Sequence, residues 1–459
     1  MKYERYRIPT ASAPNVARHP SRFKVRVSRV HLARLLIREL IRYRGDLPLV
    51  LSRPCVYGVF SGPVGGFMPR EQLCVGCLRC TVEHPQVVQI VPNPAHGKLG
   101  DSYFDSDKVA TVLYEAATGR VPVRGAGYGG GFGGSGWDAM WTDMSEIVRP
   151  TRDGIHGRET ISTAVDIGRI PRALEFDLAG DLINPLSPLV TLPIPILFDW
   201  MPDLVEERTA LRALREAAGT LQTLMLEPLD MALQHDGTSA PLVSPAELDR
   251  LLEGGRSFPL IELDGWDSTA YQRLRSELPD TVVAVRLPLG QSPVDLAAHG
   301  VGVFHLAADY HGHGANQFAL PAIRETHEQL VRAGLREQVT LIGSGGITAA
   351  EHVPKAIIAG LDAVAIDTAL LVAWQARIVG ESRRPGEGGF QLPAFDAGWG
   401  AQRIVNLIGS WRDQLLEVLG AMGLRELRRL RGELGRAMFQ SDLEQEAFAG
   451  IEGFEHAAG

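Results

Sequence analysis

The sequence predicts an α/β fold, a (β/α)8 TIM-type barrel preceded by a small cysteine-bearing segment and followed by C-terminal helices. Three observations carry this reading. Short apolar runs alternate with helix-patterned stretches between residues 190 and 380. Three cysteines stand in C-x2-C-x2-C order within LCVGCLRCTVEHP, residues 73–85. The region after 400 has apolar residues at helical spacing. Strand and helix units in alternation build parallel sheets, and eight units over roughly 190 residues close into a barrel more readily than they form an open sheet.

With 459 residues the chain has room for two or three domains. Its net charge of −8 and 45% hydrophobic content fit a globular protein and give no reason to expect a nucleic-acid partner. No apolar run reaches the roughly 20 residues needed to span a bilayer. The opening MKYERYRIPT lacks the apolar stretch of a secretion signal. A cytoplasmic location, with no membrane association, is therefore the expectation.

Residues 1–48 form an Arg-rich helical arm. Within it, HLARLLIRELIRYRG (31–45) has helical apolar spacing with arginines between. It reads as a solvated helix packed on the body, with a docking arm for a partner as the alternative. Residues 49–110 hold the cysteines between Gly/Pro-rich turns and form a small domain that needs a metal to order it. Residues 111–189 are a Gly-rich connecting segment, entered through the helical KVATVLYEAATG. In it Gly125, Gly127 and Gly130 match G-x-G-x-x-G, but no βαβ unit surrounds them, which argues against a dinucleotide site and for a close-packed or purely structural loop. Residues 190–380 are the barrel, with strands expected at 194–199, 222–227, 241–244, 259–263, 282–287, 303–309, 339–346 and 363–367. Residues 381–459 are a helical extension, in which 401–438 reads as two helices broken near Gly423.

The chain has four cysteines, Cys55, Cys74, Cys77 and Cys80, all within 26 residues. In a reducing compartment such a cluster points to metal rather than disulfides. In two-cluster ferredoxins the first three cysteines of this run bind one cluster and the fourth serves the other. A single cluster thus needs Cys74, Cys77, Cys80 and one remote thiolate, for which Cys55 is available. A [4Fe–4S] cluster on all four is favoured, followed by a [3Fe–4S] cluster on the last three. Zinc on three cysteines plus His84 is the remaining metal reading.

At the expected C-terminal mouth of the barrel, ADYHGHGANQF follows the sixth strand and brings Asp309, Tyr310, His311 and His313 to the catalytic end. His311 and His313 are candidate proton donors, against the plainer reading of loop histidines. GSGGI (343–347) ends the seventh strand and AIDTAL (365–370) the eighth. Ser344, Gly345 and Gly346, with Asp367, Thr368 and Ala369, could form a backbone cradle for a phosphate.

GSGWDAMWTDMSEIVRPTRDGIHGRETISTAVDIG (134–168) and WGAQRIVNLIGSWRDQLLEVLGAMG (399–423) resemble the corresponding stretches of the FMN-binding glutamate synthase family, in particular archaeal-type large subunits. The order of ferredoxin-like segment, then barrel, resembles that family too. The resemblance implies FMN in the barrel mouth and an iron–sulfur cluster that feeds it. The implied reaction is reduction of an imine formed from 2-oxoglutarate and ammonia. Arg286 then stands where the family has a lysine near the flavin, keeping positive charge for a reduced, anionic ring. Glu227 stands in for an acid that the family places in a glycine-rich motif. Residue 2 is lysine, so the cysteine of a glutaminase half is missing. Ammonia is then expected from solution or a glutaminase partner, and electrons from a ferredoxin or an NAD(P)H reductase subunit. The alternative is a non-catalytic barrel subunit serving as scaffold or electron carrier.

Overall fold

The computed structural model describes residues 6–51, 55–62, 65–122, 134–142, 158–170, 174, 176–183, 187–205, 207–235, 237–315 and 317–451. Gly125, Gly127 and Gly130 lie outside the described residues. The chain divides into two compact units, one drawn from Met1–Pro14, Val112–Val121 and Phe132–Gly459, the other from Asn15–Thr111 and Pro122–Gly131.

The larger unit is built on a closed eight-stranded barrel. Its strands are β1 (Ile196–Phe198), β2 (Met225–Pro228), β3 (Ser239–Val243), β4 (Leu260–Asp264), β5 (Val282–Pro288), β6 (Val303–Ala307), β7 (Thr340–Ser344) and β8 (Ala363–Ile366). Each pairs in parallel with the next, and β8 closes on β1. All eight apolar runs of the sequence coincide with these strands. They are readable because parallel strands are buried on both faces and so are nearly continuous in apolar residues. The helix after β1, α1 (Arg208–Leu221), shows the complementary pattern. Its buried residues Ala210, Leu211, Leu214, Ala217, Ala218 and Leu221 recur every three or four positions and form one stripe against the barrel wall.

Side chains alternate between the two faces of a strand, so the barrel interior fills in layers. Leu197, Leu226, Leu260, Ala284, Ile342 and Ala365 belong to one buried interior cluster. Ile167 and Leu192 join the same cluster from a two-stranded antiparallel hairpin, Val165–Gly168 with Leu189–Leu192. Thr340, the first residue of β7, ties that hairpin down: its Oγ1 donates to Gly168 O at 2.9 Å and accepts from Gly168 N at 3.2 Å. The hairpin therefore plugs the N-terminal end of the barrel.

Helix α2 (Ala397–Ala421) fulfils the first half of the expected C-terminal pair. The expected second helix over 424–438 is not formed. Gly423 takes φ +73° and ends the helical path. Single 3-10 turns at Leu427–Arg429 and Leu434–Arg436 and a short strand, Ala437–Phe439, follow before a final helix at Gln440–Phe448. Among the described residues no helix is long and apolar enough to cross a membrane.

The smaller unit pairs strand Phe23–Val27 with Val88–Pro92 in antiparallel register. Helix Arg29–Arg42 follows the first strand. Their core is Val25, Leu32, Val59, Phe60, Val87 and Val88, and Cys55, Cys74 and Cys80 pack against it. Glu71 accepts from Val25 N at 2.8 Å and so pins the start of the cysteine loop to the sheet.

Candidate active site

Two positions beyond the apolar layer, the interior of the barrel turns polar. Strand alternation carries Leu260 to Glu262, Ala284 to Arg286, Val303 to His305 and Ile342 to Ser344. Just past the strand ends it carries Leu197 to Asp199 and Ala365 to Asp367. The result is a ring of polar side chains at the C-terminal end of the strands, where barrel enzymes place their chemistry.

Arg286 is the hub. It grips Asp199 with two nitrogens, Nη1 to Oδ1 and Nη2 to Oδ2, both 3.0 Å. Nη1 also donates to Glu262 Oε1 at 2.8 Å and lies 3.2 Å from His305 Nδ1. That nitrogen has two protons and three neighbours able to accept them. With the two carboxylates taking both, His305 Nδ1 is left to donate to Glu262, whose two oxygens are each 3.0 Å away. His305 Nε2 is then the free end of the ring, buried and without a hydrogen-bond partner. Ser344 Oγ is buried and equally without a partner of normal geometry.

The electrostatics follow from burial against pairing. Burial by itself would raise the Asp199 carboxyl, but Arg286, with His305, outweighs it and holds the group at about 2. Burial also opposes charge on Glu262, and His305 and Arg286 overcome it, leaving that carboxyl below its usual range. Burial works against the Arg286 cation, and its two carboxylates reverse that and push it up. Asp367 lacks such a partner. Burial raises it to about 7, against the pull of the Thr368 amide and with Asp199 adding to the rise. Tyr310 donates to Asp203 Oδ2 at 2.8 Å, and burial, Asp367 and Asp203 together raise its hydroxyl.

The residues singled out from sequence fall into three groups. Arg286, Ser344 and Asp367 share the polar ring. Gly345 and Gly346 form a tight turn just above it. Gly345 has φ +94°, and a Cβ there would stand 2.3 Å from Asp309 O. Gly346 N donates to Tyr310 O at 3.2 Å. Thr368 gives both its amide and its hydroxyl to the Asp367 carboxylate, and Ala369 is fully buried in the following turn. His311 and His313 sit in a loop organised by Asp309, whose Oδ1 accepts from both of their amides at 3.1 and 2.8 Å. His313 Nδ1 is buried without a partner.

Glu227 is placed elsewhere. Leu226 points into the barrel, so its neighbour points out, and Glu227 lies behind the wall, 2.5 Å from Arg215 Nη2 of α1 and hydrogen-bonded by Ser239. Asp199, Glu262 and His305 are the residues that sequence reasoning did not single out. Their signal was present, each being a polar residue two places after an interior apolar one.

For a flavin, the Ser344 hydroxyl and the unpartnered His305 Nε2, an acceptor while Nδ1 holds the proton, fit a polar ligand at the mouth. The phosphate end fits only with Asp367 in its neutral form, because an ionised carboxylate there would repel it.

In the smaller unit the Cys74 thiol is pushed up by burial, drawn down by the Gly76 amide, and lies within electrostatic reach of Cys80, Cys55 and Cys77. Burial likewise raises Cys80, against hydrogen bonding from Thr81. Gly76 and Leu78 both take positive φ, 70° and 60°, so the chain coils tightly between the cysteines before helix Arg79–Glu83. Among the described residues no three of these sulfurs come within 4.8 Å of one another.

A closed parallel barrel with an ion-paired polar ring at the C-terminal ends of its strands defines the class of protein. A family model described as a conserved region in glutamate synthase matches residues 314–381, which include β7 and β8. An archaeal-type glutamate synthase (NADPH) from Dehalococcoides mccartyi is 24% identical over 445 residues, covering 79% of this chain and 86% of the relative. An archaeal glutamate synthase (NADPH) from Archaeoglobus fulgidus is 25% identical over 486 residues, covering 88% and 94%. Among solved structures, a flavocytochrome b2 mutant with pyruvate bound aligns over 70% of this chain and 81% of its own at 10% identity and a TM-score of 0.43. The chain is thus similar to glutamate synthases over most of its length.

Proposed function

We propose that the chain is a cytoplasmic glutamate synthase-type oxidoreductase whose barrel mouth seats FMN and whose four cysteines hold an iron–sulfur cluster. The observation that carries the reading is the polar ring around Arg286 in a barrel whose relatives are named glutamate synthases. When bound, the flavin would supply hydride transfer to an imine formed from 2-oxoglutarate and ammonia, and the cluster would supply single electrons. Ser344, Gly345, Gly346, Thr368 and Ala369 would hold the phosphate, with Asp367 neutral beside it. Arg286 would supply fixed positive charge to the flavin site, moderated by Asp199 and Glu262. His305, held at Nδ1 by Glu262, presents Nε2 as the atom to give or take a proton. His313 Nδ1 is a second such atom, and His311 lies beside it on the same loop. Cys55, Cys74, Cys77 and Cys80 would ligate the cluster. An external electron donor and a source of ammonia complete the system.

Anaerobic purification with a visible spectrum and flavin and iron assays tests this directly. Stoichiometric FMN, about four irons per chain, and glutamate formed from 2-oxoglutarate and ammonium with a chemical reductant are the expected results. A colourless protein overturns the reading. One feature favours the second reading, a non-catalytic barrel subunit. The Asp367 carboxylate already takes the Thr368 amide and hydroxyl, and the charge on Arg286 is already answered by two acids. Iron without flavin would decide for that reading.

A further inference from the structure

In a chain of net charge −8, residues 22–44 contain eight arginines and lysines against one acid, Glu39. The structure gives this excess a shape. Helix Arg29–Arg42 turns Leu32 inward, with Leu35 and Leu36 packed on the small core that also carries Cys55, Cys74 and Cys80. On its outer side Arg29, Arg34, Arg38 and Arg42 are exposed. Between them stand Val30, Ile37 and Ile41, exposed at 72%, 61% and 75%. Positions 30, 34, 37, 38 and 41 fall on one helical face, so aliphatic and guanidinium groups alternate along a single stripe. Arg38 pairs with Glu39 at 3.4 Å, whereas Arg29 and Arg34 make no ion pair among the described residues.

We propose that this face is the docking surface for a small acidic electron-carrier protein of the ferredoxin class. An interface of that kind has an apolar centre and a charged rim, and opposite charge speeds and orients the encounter. The stripe offers both elements, and the inner side of the same helix packs on the core that holds three of the cysteines. Nucleic acid would reward the arginines alone and leave Val30, Ile37 and Ile41 without a partner. A membrane would need a broader apolar face than three aliphatic side chains. The redox character of the partner rests on the function proposed above, whereas the docking surface does not.

The test uses the full chain, a strongly acidic [2Fe–2S] ferredoxin as probe, and two variants, Arg34→Glu/Arg38→Glu/Arg42→Glu and Ile37→Ser/Ile41→Ser. Circular dichroism checks that both variants fold. Calorimetry with oxidised ferredoxin should show binding that weakens steeply with salt. The charge-reversed variant should lose at least about tenfold in affinity at low salt. The Ile variant should bind more weakly with its salt dependence intact. Stopped-flow reduction by reduced ferredoxin should slow by a similar factor in the charge-reversed variant, while reduction by dithionite stays unchanged. Salt-independent binding, or wild-type affinity in both variants, overturns the proposal. So does a wild-type dimer that the charge reversal converts to monomer, or tighter binding to anionic vesicles than to ferredoxin. If the protein carries no iron but the calorimetric pattern holds, the docking surface stands and the iron–sulfur reading falls.

Discussion

Arg286 is nearly enclosed, and its charge is shared between Asp199 and Glu262, which are themselves buried. Removing a single partner from such a set leaves charge stranded in low dielectric, which costs about 3–5 kcal/mol. Arg286→Met should therefore lower the unfolding free energy in urea by about that much. The triple variant that also carries Asp199→Asn and Glu262→Gln should recover part of the loss. The two aspartates of the ring predict opposite pH behaviour. Asp199 sits at about 2 in the folded protein against an ordinary 3.8. Its contribution is complete above about pH 4 and fades as pH falls towards 2, so Asp199→Asn should flatten the acid limb of stability over that window. Asp367 is raised to about 7. The folded state then holds a proton that the unfolded chain has lost, so stability declines as pH rises from about 4 to 7 and levels above. One proton corresponds to a slope of at most about 1.4 kcal/mol per pH unit. Asp367→Asn should abolish that decline and be more stable than the natural protein at pH 8. It should also retain FMN at pH 8 as well as at pH 6, measured by flavin fluorescence after ultrafiltration, whereas the natural protein should release more at the higher pH.

At the scale of the element, the barrel was legible because each strand is a short apolar run followed by an amphipathic stretch, as in VVAVRL or in IPILFD before α1. What each residue faces was less so. Glu227 ends its run just as Asp199 does, but Leu226 occupies the interior, and a shift of one residue sends the acid outward to Arg215. Asp199, Glu262, Arg286 and His305 come from β1, β4, β5 and β6 and its neighbours, and their meeting depends on closure of the barrel, which a linear pattern does not encode. The plugging hairpin escaped notice because its two four-residue strands are separated by twenty residues. The outward placement of Glu227 makes a specific prediction. Glu227→Gln and Arg215→Met should each destabilise by about 1–3 kcal/mol, and the double variant should lose less than the two combined, since the pair acts as a unit. The β7 turn is equally testable. Gly345→Ala must hold φ +94° and place a methyl 2.3 Å from Asp309 O. It should displace the 309–313 loop and cost about 1–3 kcal/mol, readable as a lowered urea midpoint and a changed near-ultraviolet spectrum from Tyr310.

At the scale of the whole molecule the two units differ in what stabilises them. The barrel unit has layered apolar packing sealed by Ile167 and Leu192 below and ion-paired polar residues above. The other unit has a small apolar cluster, Val25, Leu32, Val59, Phe60, Val87 and Val88, with three of its four cysteines at the edge of it. Little apolar burial makes a small unit marginal on its own, and a bound cluster converts ligand binding into folding free energy. Calorimetry of the iron-loaded protein should then show two transitions, since each unit has its own core. Removing the iron with a chelator under reducing conditions, or replacing Cys77 with Ser, should lower the transition of the cysteine unit and leave that of the barrel within about 2 °C, because ligand linkage acts only on the unit that binds. Protease sensitivity should rise within 55–88, on either side of the cysteines, and not along β1 to β8. Equal loss in both transitions would mean that the units unfold as one, and no loss in either would mean that the thiols carry no metal.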